Sequence, residues 1–222
     1  PPPTSALPSN DDVTLLLDGE TSTIADVSSA STALTVGSSV SQSTSVYKYG
    51  SGSLRFTESG TGGVSGNSIT YSIPAITGDF TVETWWRGDT FNYDVAGGSE
   101  YLWSLGNVTA SNLHPILYVN QPYGAGTNPV FRFHVSDATR IESTATLTAQ
   151  TWHHVAVTRS SNTYELFIDG VSQGIYAGSS ATIPSSTAYI GRRWATYGGN
   201  YYSLNGHLDD FRFTTGVARY TA

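Results

Sequence analysis

Carboxylates, imidazoles and clustered aromatic rings are the side chains able to do chemistry in this sequence of 222 residues, because cysteine and methionine are both absent. Without cysteine there is no disulfide framework and no thiolate-ligated zinc or iron–sulfur site. Hydrolysis of a glycosidic bond with retention needs two carboxyl groups about 5–5.5 Å apart, one as nucleophile and one as acid. Alternate positions of one strand would supply such a pair. Glu83 stands alone in DFTVETWWR (79–87), Glu165 stands alone in TYELFID (163–169), and Asp137 and Glu142 flank an expected turn. The sequence therefore predicts that the protein is not an enzyme. His153 and His154 are neighbours, and successive side chains on a strand point to opposite faces, so they are expected to split between core and surface rather than share a metal.

A second chemistry is carried by GRRWATYGGNYYSLNG (191–206), which crowds Arg192, Arg193, Trp194, Tyr197, Tyr201 and Tyr202 into a glycine-rich connection. Sugars stack their C–H faces on aromatic rings while a few placed polar groups bind the hydroxyls. Trp194, Tyr197, Tyr201 and Arg193 are accordingly expected to contact a glycan or cell-surface polysaccharide. Tyr93, beside Phe91, and Tyr123, near Tyr118 in QPYGAG, are expected neighbours of that site. The connection is also longer than a hairpin needs, and long loops in compact domains are commonly functional. The same residue types are enriched where subunits meet, so packing against a neighbouring chain is the competing reading. Two shorter motifs carry little: Arg87-Gly88-Asp89 spells an integrin tripeptide that recurs by chance, and Asn107-Val108-Thr109 is a glycosylation sequon whose meaning depends on a eukaryotic source.

These groups need a scaffold, and composition limits its kind. Only 12% of residues are charged, the net charge is −7, and serine and threonine together number 59. An acidic chain lacks the basic footprint of a general nucleic-acid binder. No apolar run approaches the roughly 18 residues of a spanning helix, and PPPTSALPS lacks the basic and apolar regions of a signal peptide, so no membrane insertion is expected. The absence of methionine leads us to expect a piece of a longer protein. Residues 1–10 hold four prolines and read as a linker or arm that buries little. From Val13 onward, short runs rich in Val, Ile, Thr and aromatics alternate with Gly, Asn, Asp and Ser clusters, the signal for strands. VFRFHV (130–135) alternates polar and apolar residues as a half-buried strand does, and Asp169-Gly170 suits a two-residue primed hairpin turn. About a dozen such strands predict one all-β domain over residues 11–222, a two-sheet antiparallel β-sandwich.

Several of these runs, read in order, resemble a known family. TGDFTVETWWR (77–87), WHHVAVTRSSNTYELFIDGV (152–171), IGRR (190–193) and LNGHLDDFRFTTGVARYT (204–221) are similar to the landmarks of laminin-G-like domains of the concanavalin A-like lectin/glucanase superfamily, and LLLDG (15–19) and YGSGSLRF (49–56) fit the same pattern. The resemblance implies a jelly roll with loops over one concave face. The ending GVARYT resembles modules of bacteriophage tail or virion proteins and of bacterial surface proteins. That implies display on a virion or cell surface, where other virion or surface-protein subunits would be partners. It further implies a structural Ca²⁺ held by Asp18, the turn around Gly50 and Gly52, and Asp209, with Asp26 a weaker candidate ligand. Calcium takes six to eight hard oxygens. Simple alternation along HLDDFRF places Asp209 on the side of Phe211 and Phe213, where a lone carboxylate would be costly, and turns Asp210 toward water.

Overall fold

The structure is a computed structural model that describes residues 1–10, 12–57, 67–90, 99–106, 114–120, 128–135, 138–178, 182–194 and 203–221. The described residues form fifteen strands and no helix: β1 (Val13–Leu17), β2 (Thr35–Val36), β3 (Val40–Ser43), β4 (Ser53–Phe56), β5 (Ile69–Ile73), β6 (Phe80–Gly88), β7 (Ser99–Ser104), β8 (Ile116–Asn120), β9 (Val130–Val135), β10 (Ala138–Glu142), β11 (His153–Ser160), β12 (Thr163–Ile168), β13 (Val171–Ala177), β14 (Ser186–Ile190) and β15 (Gly206–Thr215). One sheet runs β13-β12-β11-β6-β15-β4-β3, with β1 also paired to β15; the other runs β10-β9-β8-β7-β14-β5-β2. This is the two-sheet antiparallel β-sandwich that the strand signals predict.

Alternation fills the space between the sheets. On β9, Phe131, Phe133 and Val135 are buried while Val130, Arg132 and His134 are half-buried. Trp86 of the first sheet meets Phe131 of the second edge-on at 5.0 Å, and Tyr164 meets Phe133 at 5.2 Å, so rings from both sheets interlock. Each fully buried large apolar side chain contributes about 1.5–3 kcal/mol. The Asp169-Gly170 turn has positive φ at both residues, 49° and 77°, as a primed turn requires. His153 and His154 take opposite faces as expected, His153 stacked on Trp86 and His154 against Trp85, but both are buried, so neither is the expected surface imidazole.

Strand β15 is the hub, and it breaks the simple alternation. Asp209 lies opposite Trp85 and Arg212 opposite Glu83, so three steps on β15 match two on β6. The extra residue is Asp210, with φ at 49°, and such a bulge resets which side each residue faces. Leu208, Phe211 and Phe213 therefore point into the core. Asp209 joins Trp85 on the outer face, contrary to its expected place beside Phe211 and Phe213. Asp210 does not face water either: it is buried, and its Oδ2 accepts the backbone N–H of Leu7 at 2.8 Å.

That last bond belongs to the proline-rich segment, which is held against the sandwich. Leu7 is 5% exposed and packs with Val13 and Leu16. The carbonyl of Pro8 accepts from Arg212 Nη1 at 2.9 Å, and that of Pro3 accepts from the Tyr49 hydroxyl at 3.0 Å. Polyproline-like backbone makes no internal hydrogen bonds, so its carbonyls are available to outside donors. The expectation of a little-buried linker thus missed these anchors. Deleting residues 1–9 should lower stability by about 3 kcal/mol or more, the sum of a lost leucine burial and a buried guanidinium donor left unmatched. Urea denaturation measures it, and an unchanged midpoint would mean that the contacts are passive.

Candidate functional site

The aromatic connection begins on the outer face of the β10–β2 sheet. There Tyr101, Ile116 and Tyr118 form a small apolar cluster separate from the main core. The two tyrosines are register partners on β7 and β8, and their rings stack at 4.9 Å with 20° between planes. Arg132 is opposite Tyr118 on β9, where it is paired to Glu142 of β10 at 2.6 Å. Leaving β14, the chain turns at Gly191, whose φ is 87° and where a Cβ would lie 2.3 Å from the Phe56 ring. Arg192 then bridges Ser203, and Leu204 donates its N–H to the Gly191 carbonyl at 2.7 Å, so the connection is pinched at its base. From that base the Arg193 guanidinium lies 6.0 Å from the Tyr101 ring centre and that of Arg192 lies 5.1 Å from Tyr189. Trp194 is half-buried, and its indole N–H has no hydrogen-bond partner among the described residues. The structure thus brings Arg193 to a tyrosine platform at the root of the Trp194 loop. Tyr93, Tyr123, Tyr197 and Tyr201 lie outside the described residues, as does the sequon at Asn107. Tyr101 had only strand alternation to reveal it, and a bulge between Tyr101 and Trp103 obscures that signal.

Glu83, Glu165 and the two adjacent histidines lie on the other sheet and are committed to partners. Glu83 is fully buried. Its Oε1 accepts from Arg212 Nε at 2.9 Å and Nη2 at 2.6 Å, while Oε2 is hydrogen-bonded to His154 Nε2 at 3.2 Å and to the Tyr220 hydroxyl. Burial pushes this carboxyl up, but His154, Arg212 and Tyr220 together outweigh it and hold it below the usual carboxylate range. Glu165 accepts the Ser172 hydroxyl at 2.6 Å, and His153 Nδ1 pairs with Asp169 at 2.8 Å. The Arg87-Gly88-Asp89 tripeptide is turned on itself, with Arg87 Nη1 3.2 Å from its own Asp89. That pairing leaves no presented ligand motif.

The expected metal ligands lie after the end of β1, near the start of β15 and in the 48–52 turn. Asp18 Oδ1 accepts the Glu20 N–H at 3.1 Å, and Glu20 in turn accepts Ser51 N–H at 2.9 Å and Ser51 hydroxyl at 2.7 Å. Gly52 is required by closeness, since a Cβ would fall 2.3 Å from the Gly19 carbonyl, and Gly50 by its left-handed backbone, with φ at 65°. Asp209 Oδ2 accepts N–H groups of Lys48 at 2.7 Å and Tyr49 at 3.2 Å, whereas its buried Oδ1 has no partner among the described residues. Burial raises Asp209 to about 7 and Asp210 to about 6, the latter also repelled by Asp18 and Glu20. The orphaned Oδ1 fits a hard cation, although no set of three or more Asp, Glu or His side chains able to hold one is grouped among the described residues. Asp26 does not open onto a ligand. Burial pushes it up, but N–H groups of Leu16, Thr32 and Ser28 outweigh that and hold it down, so it staples the 26–32 loop.

Comparison with known proteins agrees with this architecture. The pattern of a laminin-G-type family within the concanavalin A-like lectin/glucanase superfamily matches residues 58–218. Curated protein sequences give no match. Among solved structures, domain 4 of the extracellular arabinanase AbnA of Geobacillus stearothermophilus, in complex with arabinotriose, superposes with a TM-score of 0.60 at 9% identity, covering 93% of this chain and 94% of that one. The binding domain of Paraclostridial Mosquitocidal Protein 1 gives 0.61 at 16% identity over 92% of this chain, and the binding domain of Botulinum Neurotoxin DC in complex with SialylT gives 0.62 at 13% over 92%. The chain spans about half the length of those two toxin domains, 49% and 47%. At such identities these likenesses establish the fold alone.

Replacing Glu83 with Gln leaves the Arg212 guanidinium buried without a counter-charge, a loss of about 3–5 kcal/mol. Because the folded carboxyl titrates below its free value of 4.5, its contribution is present in full above that pH and is lost as pH falls below it. Urea stability of wild type should therefore converge on that of Glu83→Gln in acid. Parallel curves would show that the carboxylate charge is not what holds the network.

Proposed function

The chain belongs to the concanavalin A-like lectin/glucanase superfamily, and we propose that it is a noncatalytic attachment module that binds glycans or cell-surface polysaccharide on the outer face of the β10–β2 sheet. One observation carries the reading: a stacked tyrosine pair outside the core, with an arginine over it and a half-buried tryptophan at the root of a long glycine-rich loop. Tyr101 and Tyr118 are themselves buried, so they serve as the floor that fixes Arg193. Arg193 and Trp194 are the layer that meets the ligand, and Tyr197, Tyr201, Tyr93 and Tyr123 are further candidate contacts on the sequence reading alone. Rigid rings backed by a packed second layer give stacking surface at low entropic cost. Relatives of the same fold have been solved with arabinotriose and with SialylT, which supports sugar binding as a use of this scaffold. The acid–base side chains Glu83 and His154 are sealed in a structural network, which supports a role without catalysis. We read the protein as a virion or extracellular surface component, from the resemblance of GVARYT.

A second reading, a module that packs against neighbouring subunits of a fibre, tail or capsid, draws support from edge strand β13, where Val171 is 62% and Ile175 60% exposed. The two readings separate on Trp194→Ala. In the attachment reading this variant keeps the wild-type melting temperature and loses adsorption to cells and to a glycan array when displayed as a multimer, where avidity raises weak affinity. Blank arrays and cells with the wild-type multimer would leave the packing module as the function.

We also propose a structural Ca²⁺, with Asp209 and Asp18 supplying carboxylates and the Gly50 to Gly52 turn supplying carbonyls. When bound, the ion neutralises the acidic end of β15. Calcium should raise the melting temperature, by the equivalent of about 2.7 kcal/mol at a hundredfold excess over Kd. With chelator, the proton on Asp209 stabilises the fold fully below pH 3.8, and that contribution is lost as pH rises to about 7. Asp209→Asn should remove the calcium response and flatten this pH slope to the part that Asp210, raised to about 6, contributes, and overlaying melts with calcium and with chelator would refute the site.

A further inference from the structure

The outer face of the other sheet carries a recess of about 720 Å³, at the far side of the sandwich from the aromatic platform. Its floor is a cross-strand row. Arg55 of β4, His207 of β15 and Arg87 of β6 are register partners, so the three side chains stand abreast on the outward side of adjacent strands. A single carboxylate serves all three: Asp89 is 2.7 Å from Arg55, 3.2 Å from Arg87 and 3.5 Å from His207 Nδ1. Two guanidiniums thus face one carboxylate in a chain with ten Lys and Arg in total and a net charge of −7.

The guanidinium heads are held in place before any ligand arrives. Arg55 donates to the Gly206 carbonyl at 3.1 Å and to Asn205 Oδ1 at 3.2 Å, and Arg87 Nε donates to the Gln150 carbonyl at 3.1 Å. His207 is 5% exposed, and burial, reinforced by the two arginines, holds it well below its ordinary value at about 4. It is therefore neutral at pH 7, and the cationic excess comes from the arginines. The remaining walls are hydroxyls and amides, including Ser43, Ser45 and Thr90, with Val46 the one apolar lining residue among those described. An apolar ligand finds no floor here. A hydroxyl-rich ligand with a fixed anion does, since guanidinium pairs well with planar or tetrahedral oxyanions.

We propose that this recess binds a carboxylate- or sulfate-bearing sugar unit of an acidic polysaccharide, with the anion at Arg55 and Arg87 and the ring hydroxyls at Ser43, Ser45 and Thr90. The inference is independent of the aromatic platform, which lies on the other sheet.

Calorimetric titration of the intact chain tests it with four probes: a tetragalacturonate, a heparin-derived tetrasaccharide, a neutral tetrasaccharide and sodium sulfate. At least one acidic tetrasaccharide should bind about tenfold or more tightly than the neutral one, and more tightly than sulfate, with affinity falling as salt rises. Which acidic probe binds separates carboxylate from sulfate. Arg87→Gln, and Ser45→Trp at the exposed rim, should each weaken binding by about tenfold or more while keeping the wild-type melting temperature. Should Arg87→Gln fail to fold, Ser45→Trp decides. Binding of both acidic probes no tighter than that of the neutral probe or of free sulfate, or wild-type affinity in Ser45→Trp, would each overturn the proposal.

Discussion

The carboxylate of Glu83 has no contact with solvent although it stands on the outward side of a sheet, where water would ordinarily reach it. An ion in that position costs several kcal/mol unless partners close around it. They come from four places: Arg212 and His154 on the flanking strands, Tyr220 from the C-terminal tail, and, through Arg212, the carbonyl of Pro8 in the N-terminal segment. One buried charge thus fastens both ends of the chain over the middle of the larger sheet. Asp210 adds a second fastening by accepting the N–H of Leu7.

That arrangement divides the molecule functionally. The centre of the larger sheet is roofed by its own termini, which leaves the row Arg55, His207 and Arg87 open at one end of it. The smaller sheet carries its tyrosine platform on the outside, under the root of the Trp194 loop. Here one outer face closes the chain and the other is dressed with aromatic and guanidinium groups.

Much of this was legible in the residue order. The alternation of VFRFHV and the Asp169-Gly170 turn are local rules, and local rules survive folding. Arg193 and Trp194 announced themselves by composition. What alternation could not show were the bulges. Asp209 and Asp210 read as one inward and one outward residue until the left-handed backbone at Asp210 turns the first outward and buries the second. Tyr101 was hidden for the same reason. The basic row was invisible because Arg55 and His207 come together only through pairing of strands about 150 residues apart. The proline-rich start misled for another reason: its anchors are carbonyls, which every residue has.

The pairing of Val13 with Thr214 means that the chain enters and leaves the sandwich side by side. A pull on both ends would load the β1–β15 ladder from its tip, opening backbone hydrogen bonds one after another like a zipper rather than shearing them together. Arg219, whose guanidinium reaches Asn10 at 2.9 Å, and the Pro8–Arg212 bond stand ahead of that tip. They take the strain first, so the termini act as a mechanical latch that guards the seam.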